Sequence, residues 1–143
     1  MSKGVITLSY EINANDFQAA GEASSTVKKK LKLLGIPPEA IRRASIAMYE
    51  AEMNVVIHGN GGVMNVEIDK SKIKMVFRDQ GPGIPDVGLA MQEGYSTAPD
   101  RIREMGFGAG MGLPNIKRNA DKLDIETVIG KGTTLTIEVN IND

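Results

Sequence analysis

The chain has 143 residues, 41% of them hydrophobic and 24% charged, a length and balance that fit one soluble domain around one core. A formal net charge of −1 gives no electrostatic reason to expect a nucleic acid partner. With no cysteine and a single histidine, disulfides, thiolate metal sites and histidine-rich metal sites are excluded, and a reducing, cytoplasmic setting is expected. No cationic start followed by an apolar run predicts a signal peptide, and no apolar segment predicts a membrane span.

Apolar and polar residues alternate over 5–12, which predicts a first strand. Asn15-Asp16-Phe17-Gln18 then has the form of a capping box, with Asn15 as cap and Gln18 reaching back. Phe17, Ala20, Ser24, Val27, Leu31 and Leu34 follow at helical spacing and make one buried face. Lys28, Lys29, Lys30 and Lys32 lie mostly off it and read as a solvated face. Gly35 is a natural C-cap, and Pro37 blocks continuation. A second helix is predicted from Pro38 to about His58, ended by Gly59-Asn60-Gly61-Gly62. His58, at that end, reads as a capping residue with no catalytic role.

Two strands are predicted over 63–69 and 73–79, joined at 70–72, with Lys74 and Arg78 on an exposed face. The stretch 84–108 is long, glycine-containing and weakly periodic. Such a segment inside a compact domain is usually a functional loop or mobile lid, here with room for a short helix around 87–92. A further helix begins near Gly112 or Pro114 and ends near Asp121. A last hairpin over 123–129 and 133–141 turns at Gly130-Lys131-Gly132. This order predicts a single domain over 1–143 of the α+β class. It is a two-layer sandwich with helices on one face of a mixed, mostly antiparallel sheet.

Asp79-Gln80-Gly81-Pro82-Gly83 places a carboxylate at the end of an apolar strand, followed by two glycines. A carboxylate accepts a hydrogen bond from the amino group of a flat ring, and glycines let backbone approach the ring face. Turns after strands often have this form too. Glu50 and Asn54 are four apart on the second helix and share a face otherwise rich in Ile46, Ala47, Ala51, Val55 and Val56. One arrangement satisfies both: Asn54 gives its oxygen to a Mg²⁺ that also holds phosphates, and Glu50 orients or deprotonates an attacking hydroxyl. The competing reading is a solvated polar stripe that includes Glu52.

Downstream, Gly106-Phe107-Gly108-Ala109-Gly110-Met111-Gly112 leads into a helix start. Its backbone N–H groups suit a polyphosphate, or serve as a hinge. The run does not fit the dinucleotide fingerprint, because Met111 or Leu113 stands where the third glycine is needed. Gly130-Lys131 does not fit a P-loop, because Gly132 follows the lysine. Thr133, opening the last strand, could place its hydroxyl near the ring or a water beside Asp79, or be a plain hairpin threonine.

Together these boxes resemble the GHKL nucleotide-binding fold of gyrase, histidine kinases and mismatch-repair ATPases. Glu50-Ala51-Glu52-Met53-Asn54 matches its asparagine box, Asp79-Gln80-Gly81-Pro82-Gly83 its first glycine box, Gly108-Ala109-Gly110-Met111-Gly112 the second and Gly130-Lys131-Gly132-Thr133 the last. The boxes stand in the family's order over nearly the whole chain. The wording of 79–86, 93–97 and 108–114 is similar to the bacterial anti-sigma-factor and stressosome-switch serine/threonine kinases. Glu52 and an apparent insertion over 98–105 depart from that pattern.

The resemblance implies ATP with Mg²⁺ and phosphoryl transfer to a Ser or Thr of a STAS-domain antagonist protein. It implies Glu50 as base, Asn54 as Mg²⁺ ligand and Asp79 as adenine reader. Gly81, Gly83, Gly108, Gly110, Met111, Gly112, Leu113 and Thr133 would line the nucleotide. The lid would lie at about 84–108. Two alternatives stay open: a nucleotide-switched module that binds a sigma factor or other regulatory protein without kinase activity, and a stand-alone histidine-kinase-like catalytic domain. A homodimer is also open.

Overall fold

A computed structural model describes residues 5–13, 19–58, 61–81, 83, 91 and 112–141. In chain order the elements are β1 (Ile6–Ile12), α1 (Glu22–Leu33), α2 (Pro38–His58), β2 (Gly62–Ile68), β3 (Lys72–Asp79), α3 (Gly112–Asn119), β4 (Lys122–Val128) and β5 (Gly132–Asn140). The strands form one sheet in the order β1-β2-β3-β5-β4. Its four ladders are all antiparallel.

Period-two alternation sorts the sheet into two faces. Met64, Val66 and Ile68 of β2, Ile73, Met75 and Phe77 of β3, and Leu135, Ile137 and Val139 of β5 all point into the core. The opposite face carries Lys72, Lys74 and Arg78, with Lys72 Nζ 3.1 Å from Glu138 Oε1 on the neighbouring strand. The three described helices lie over the core face. Each fully buried aliphatic side chain contributes roughly 1.5–3 kcal/mol, so this face dominates the stability.

The central helix is α2. It lies against β3 and β5, with α1 and α3 packed on it. Ala44, Ala47 and Ala51 are fully buried and short, which lets the helix approach the sheet closely, while Met48, Val55 and Val56 fill the gaps. The N-terminal half is pinned from outside the core. Arg43 Nη2 donates to Asp121 Oδ2 at 2.8 Å, and that same oxygen accepts the Asn140 N–H at 2.6 Å.

The end of α1 is a Schellman motif: Gly35 N–H bonds the Lys32 carbonyl and Ile36 N–H the Leu31 carbonyl, with Ile36 packed on the core. Its four lysines are exposed, as expected. Its beginning is a correction. The capping box predicts a helix through Phe17 and Ala20, but α1 starts at Glu22, and Ala19–Gly21 form a turn. Asn15 and its neighbours 14–18 lie outside the described residues. Gly21 at the cap position has φ 92° and offers no side chain; the acceptor comes from α2 instead.

The β2–β3 turn is built by Asp69. Its Oδ1 accepts the N–H of Ser71 at 2.7 Å, the N–H of Lys72 at 2.9 Å and the Ser71 hydroxyl at 2.9 Å. These donors, led by the Ser71 N–H, hold its carboxyl below the ordinary carboxylate range. Among the described residues, no helix is long and apolar enough to cross a membrane.

Candidate functional site

The described site residues fall into two groups. The first lies at the C-terminal end of β3. Asp79 is half-buried and its Oδ1 accepts two backbone N–H groups, from Gly81 at 2.9 Å and from Thr133 at 3.1 Å. The Gly81 bond closes an Asx-turn just beyond the strand. The Thr133 bond crosses to β5, so one carboxylate oxygen ties the β3 end to the last hairpin. Among the described residues Oδ2 has no donor, and it is the oxygen left to accept from a ligand.

Glycine is required by this geometry at Gly132 and Gly83, as it is at Gly62, where a Cβ would overlap the Arg78 carbonyl oxygen. Gly132 has φ 139°, and a Cβ there would overlap the Asp79 carbonyl oxygen. Gly83 has φ 84°, and a Cβ would stand 2.8 Å from the Val128 carbonyl oxygen. Side chains at either position would push the β3 end away from the hairpin.

Thr133 is buried, and its contact with Asp79 is made by its N–H rather than by its hydroxyl. The hydroxyl lies 3.1 Å from that of Thr127 on β4. Sequence reasoning passed over Thr127. The cue was its register, since Thr127 and Thr133 are paired across the β4–β5 ladder on the face that points inward.

The second group lies where α3 crosses α2. Glu50 and Asn54 are both half-buried, one turn apart on α2. The first turn of α3 stands against them. A Cβ on Gly112 would come within 3.2 Å of Asn54 Oδ1, and Asn115 Nδ2 donates to Glu50 Oε2 at 3.1 Å. Spacing of three on α3 thus matches spacing of four on α2. Leu113 is buried and holds α3 to the core beside this contact.

Glu52 belongs to neither group, and the competing reading of a solvated stripe does not hold for it. Two residues on from Glu50 is about 200° round the helix, so Glu52 points away from Glu50 and Asn54. It is 3% exposed. Its Oε2 accepts the Gly21 N–H at 3.0 Å, and its Oε1 accepts the Ser24 N–H at 3.0 Å and the Ser24 hydroxyl at 2.6 Å. It is the N-terminal cap of α1, supplied from α2.

Gly108, Gly110 and Met111 lie outside the described residues. So does the expected lid over 84–108, except Met91, which packs on the core. The His58 side chain is also outside them. Among the described residues no three of His, Cys, Asp and Glu gather as a metal-binding group. Among the described residues the amide oxygen nearest the start of α3 is Asn54 Oδ1, against which Gly112 packs closely. A hard amide oxygen is a donor type that fits Mg²⁺, which keeps waters and takes most other ligands from phosphates.

Residues 35–143 match the family described as histidine kinase-, DNA gyrase B- and HSP90-like ATPases. The chain is 33% identical over 124 residues to the serine/threonine-protein kinase RsbT of Bacillus subtilis (strain 168), covering 84% of this chain and 85% of the relative. It is 34% identical over 132 residues to the anti-sigma F factor of Geobacillus stearothermophilus, covering 85% and 87%. It is 27% identical over 128 residues to that of Priestia megaterium, covering 85% and 84%. The carboxylate at the β3 end, the Glu50–Asn54 pair under α3 and the glycine-dependent hairpin stand on a chain that belongs to the histidine kinase-, DNA gyrase B- and HSP90-like ATPase family, within the branch of serine/threonine kinases and anti-sigma factors.

Proposed function

We propose that this chain is a bacterial, cytoplasmic serine/threonine kinase that uses ATP and Mg²⁺ to phosphorylate a Ser or Thr on a STAS-domain antagonist protein. The observation that carries the reading is the α2–α3 crossing, where a carboxylate and an amide on one helix face stand beneath a helix N-terminus.

Phosphoryl transfer asks the protein for position and charge neutralisation more than for covalent chemistry. Asp79 Oδ2 would accept from the adenine amino group, while Gly81 and Gly83 leave the ring face open. The N–H groups opening α3, at Gly112 and Leu113, would present the positive end of that helix to the phosphates. Gly108, Gly110 and Met111 would add donors from the preceding run. Asn54 would hold Mg²⁺, which when bound neutralises phosphate charge. Glu50 would take the proton of the acceptor hydroxyl as its oxygen bonds to the γ-phosphorus and the bond to the β-phosphate oxygen breaks, releasing ADP. A lid over 84–108 would exclude water and so favour a protein hydroxyl over hydrolysis.

The test is incubation with γ-labelled ATP, MgCl₂ and candidate STAS-domain proteins. Label stable on Ser or Thr is expected. A tight complex with a sigma factor or STAS protein and no label would instead establish a nucleotide-switched binding module. Acid-labile phosphohistidine on a partner would establish a histidine-kinase-like domain.

A further inference from the structure

Glu50 does not stand alone on α2. Asn115 Nδ2 donates to its Oε2 at 3.1 Å, and Arg118 Nη1, one turn further along α3, donates to Asn115 Oδ1 at 2.9 Å. The order of this chain fixes its chemistry. A guanidinium has donors only, so the Asn115 atom facing Arg118 must be the oxygen. The Asn115 NH₂ group is then forced to face Glu50, where only an acceptor stands. Arg118 thereby settles the amide orientation, which an isolated asparagine leaves open. The backbone helps as well: Asn119 Nδ2 donates to the Asn115 carbonyl at 2.8 Å, closing the turn that carries Asn115.

We propose that Asn115, oriented by Arg118, is a positioning residue that decides which oxygen of Glu50 receives the acceptor's proton. The inference rests on the reading of Glu50 as base. Oε2 is engaged, and among the described residues Oε1 takes no hydrogen bond, so Oε1 is the proton acceptor. The interposed amide has a physical rationale. A guanidinium in direct contact with the carboxylate would form a charged pair and compete with the substrate proton for it. A neutral amide holds the carboxylate in place with a weaker bond, and Arg118 polarises that amide from its far side. The same turn of α3 puts Gly112 beside Asn54, so one helix turn sets the stations of both α2 groups.

The test is a double-mutant cycle. Wild type, N115A, E50Q and N115A/E50Q are compared in single-turnover transfer from MgATP to the labelled STAS protein and in MgATP hydrolysis, where water replaces the hydroxyl. Kd for a fluorescent ATP analogue and Tm are measured in parallel. N115A is expected to slow both reactions about 10- to 100-fold, the scale of a misplaced reacting group, with Kd unchanged within about twofold. On the E50Q background it should cost nothing further, because there is no base left to position. R118M should give a smaller loss of the same kind. If N115A does not fold, N115D carries the cycle. It keeps the shape, sets a second acceptor against Glu50, and should lose at least as much rate. N115A as fast as wild type while E50Q is inactive would overturn the inference and leave the base assignment standing. An equal loss on both backgrounds would overturn it too, since Asn115 would then act independently of Glu50. A fully active E50Q would remove the base assignment and the inference together. A side-chain readout is separate from activity: the Asn115 NH₂ resonances should shift in E50Q without nucleotide, and unmoved resonances would contradict the bond.

Discussion

Asp79→Asn is the sharpest probe of the nucleotide assignment, because the structure dictates how the new amide must sit. Two N–H groups, from Gly81 and Thr133, point at the Oδ1 position. An amide NH₂ placed there would face two donors, so the asparagine must put its oxygen at Oδ1 and its NH₂ at Oδ2. The two backbone bonds survive but lose their ionic character. A charge-assisted bond is about twice as strong as a neutral one, so the fold should lose only about 1–2 kcal/mol. The position proposed to face the ligand fares worse, because the acceptor assigned to the adenine amino group becomes a donor. A lost charged hydrogen bond of about 1.5–3 kcal/mol corresponds to roughly 10- to 100-fold weaker ATP binding. Titration calorimetry with a non-hydrolysable ATP analogue and MgCl₂ measures the second quantity, and urea denaturation the first. Unchanged affinity would refute the assignment of Oδ2 to adenine. A loss of stability well beyond about 2 kcal/mol would refute the argument about amide orientation.

Three further outcomes are expected. Glu52→Ala strips the Gly21 and Ser24 donors of their acceptor in a buried place and should cost about 2–4 kcal/mol by urea denaturation; a cost below about 0.5 kcal/mol would mean that water serves the cap equally well. Gly132→Ala must strain a φ of 139° and push the Asp79 carbonyl aside, so a loss of about 2 kcal/mol or more and weaker ATP binding are expected together. Asp69→Asn should lower Tm at neutral pH. The folded-state carboxyl is held below its unfolded value, so its contribution is present above the unfolded pKa and fades as the pH falls through the folded one. The Tm gap should therefore close in acid, and a gap that is constant with pH would contradict the turn's electrostatics.

Much of the architecture is legible in local chemistry. Pro38 and the glycines after His58 bound α2, and alternation bounds β2 and β3, because these signals act within a few residues. The pairing of Glu50 with Asn54 follows from helical period alone. What sequence reasoning missed is what depends on partners far along the chain. The start of α1 was read from Asn15, yet its cap comes from a residue 28 to 31 positions later. A cue existed: Glu52 is flanked at i−4, i+3 and i+4 by Met48, Val55 and Val56, so its carboxylate had to be buried with partners or not at all. Asn115 had no such cue. Nothing around it in the sequence distinguishes it from a surface asparagine, and only the crossing of α3 over α2 brings it to Glu50.

The borrowed cap on α1 imposes an order of assembly. A segment whose first turn is closed by someone else's carboxylate lacks the means to nucleate itself, so a peptide spanning 19–36 should be largely coil by circular dichroism in water. α1 is therefore expected to settle only once α2 has been made and docked, although it leaves the ribosome earlier.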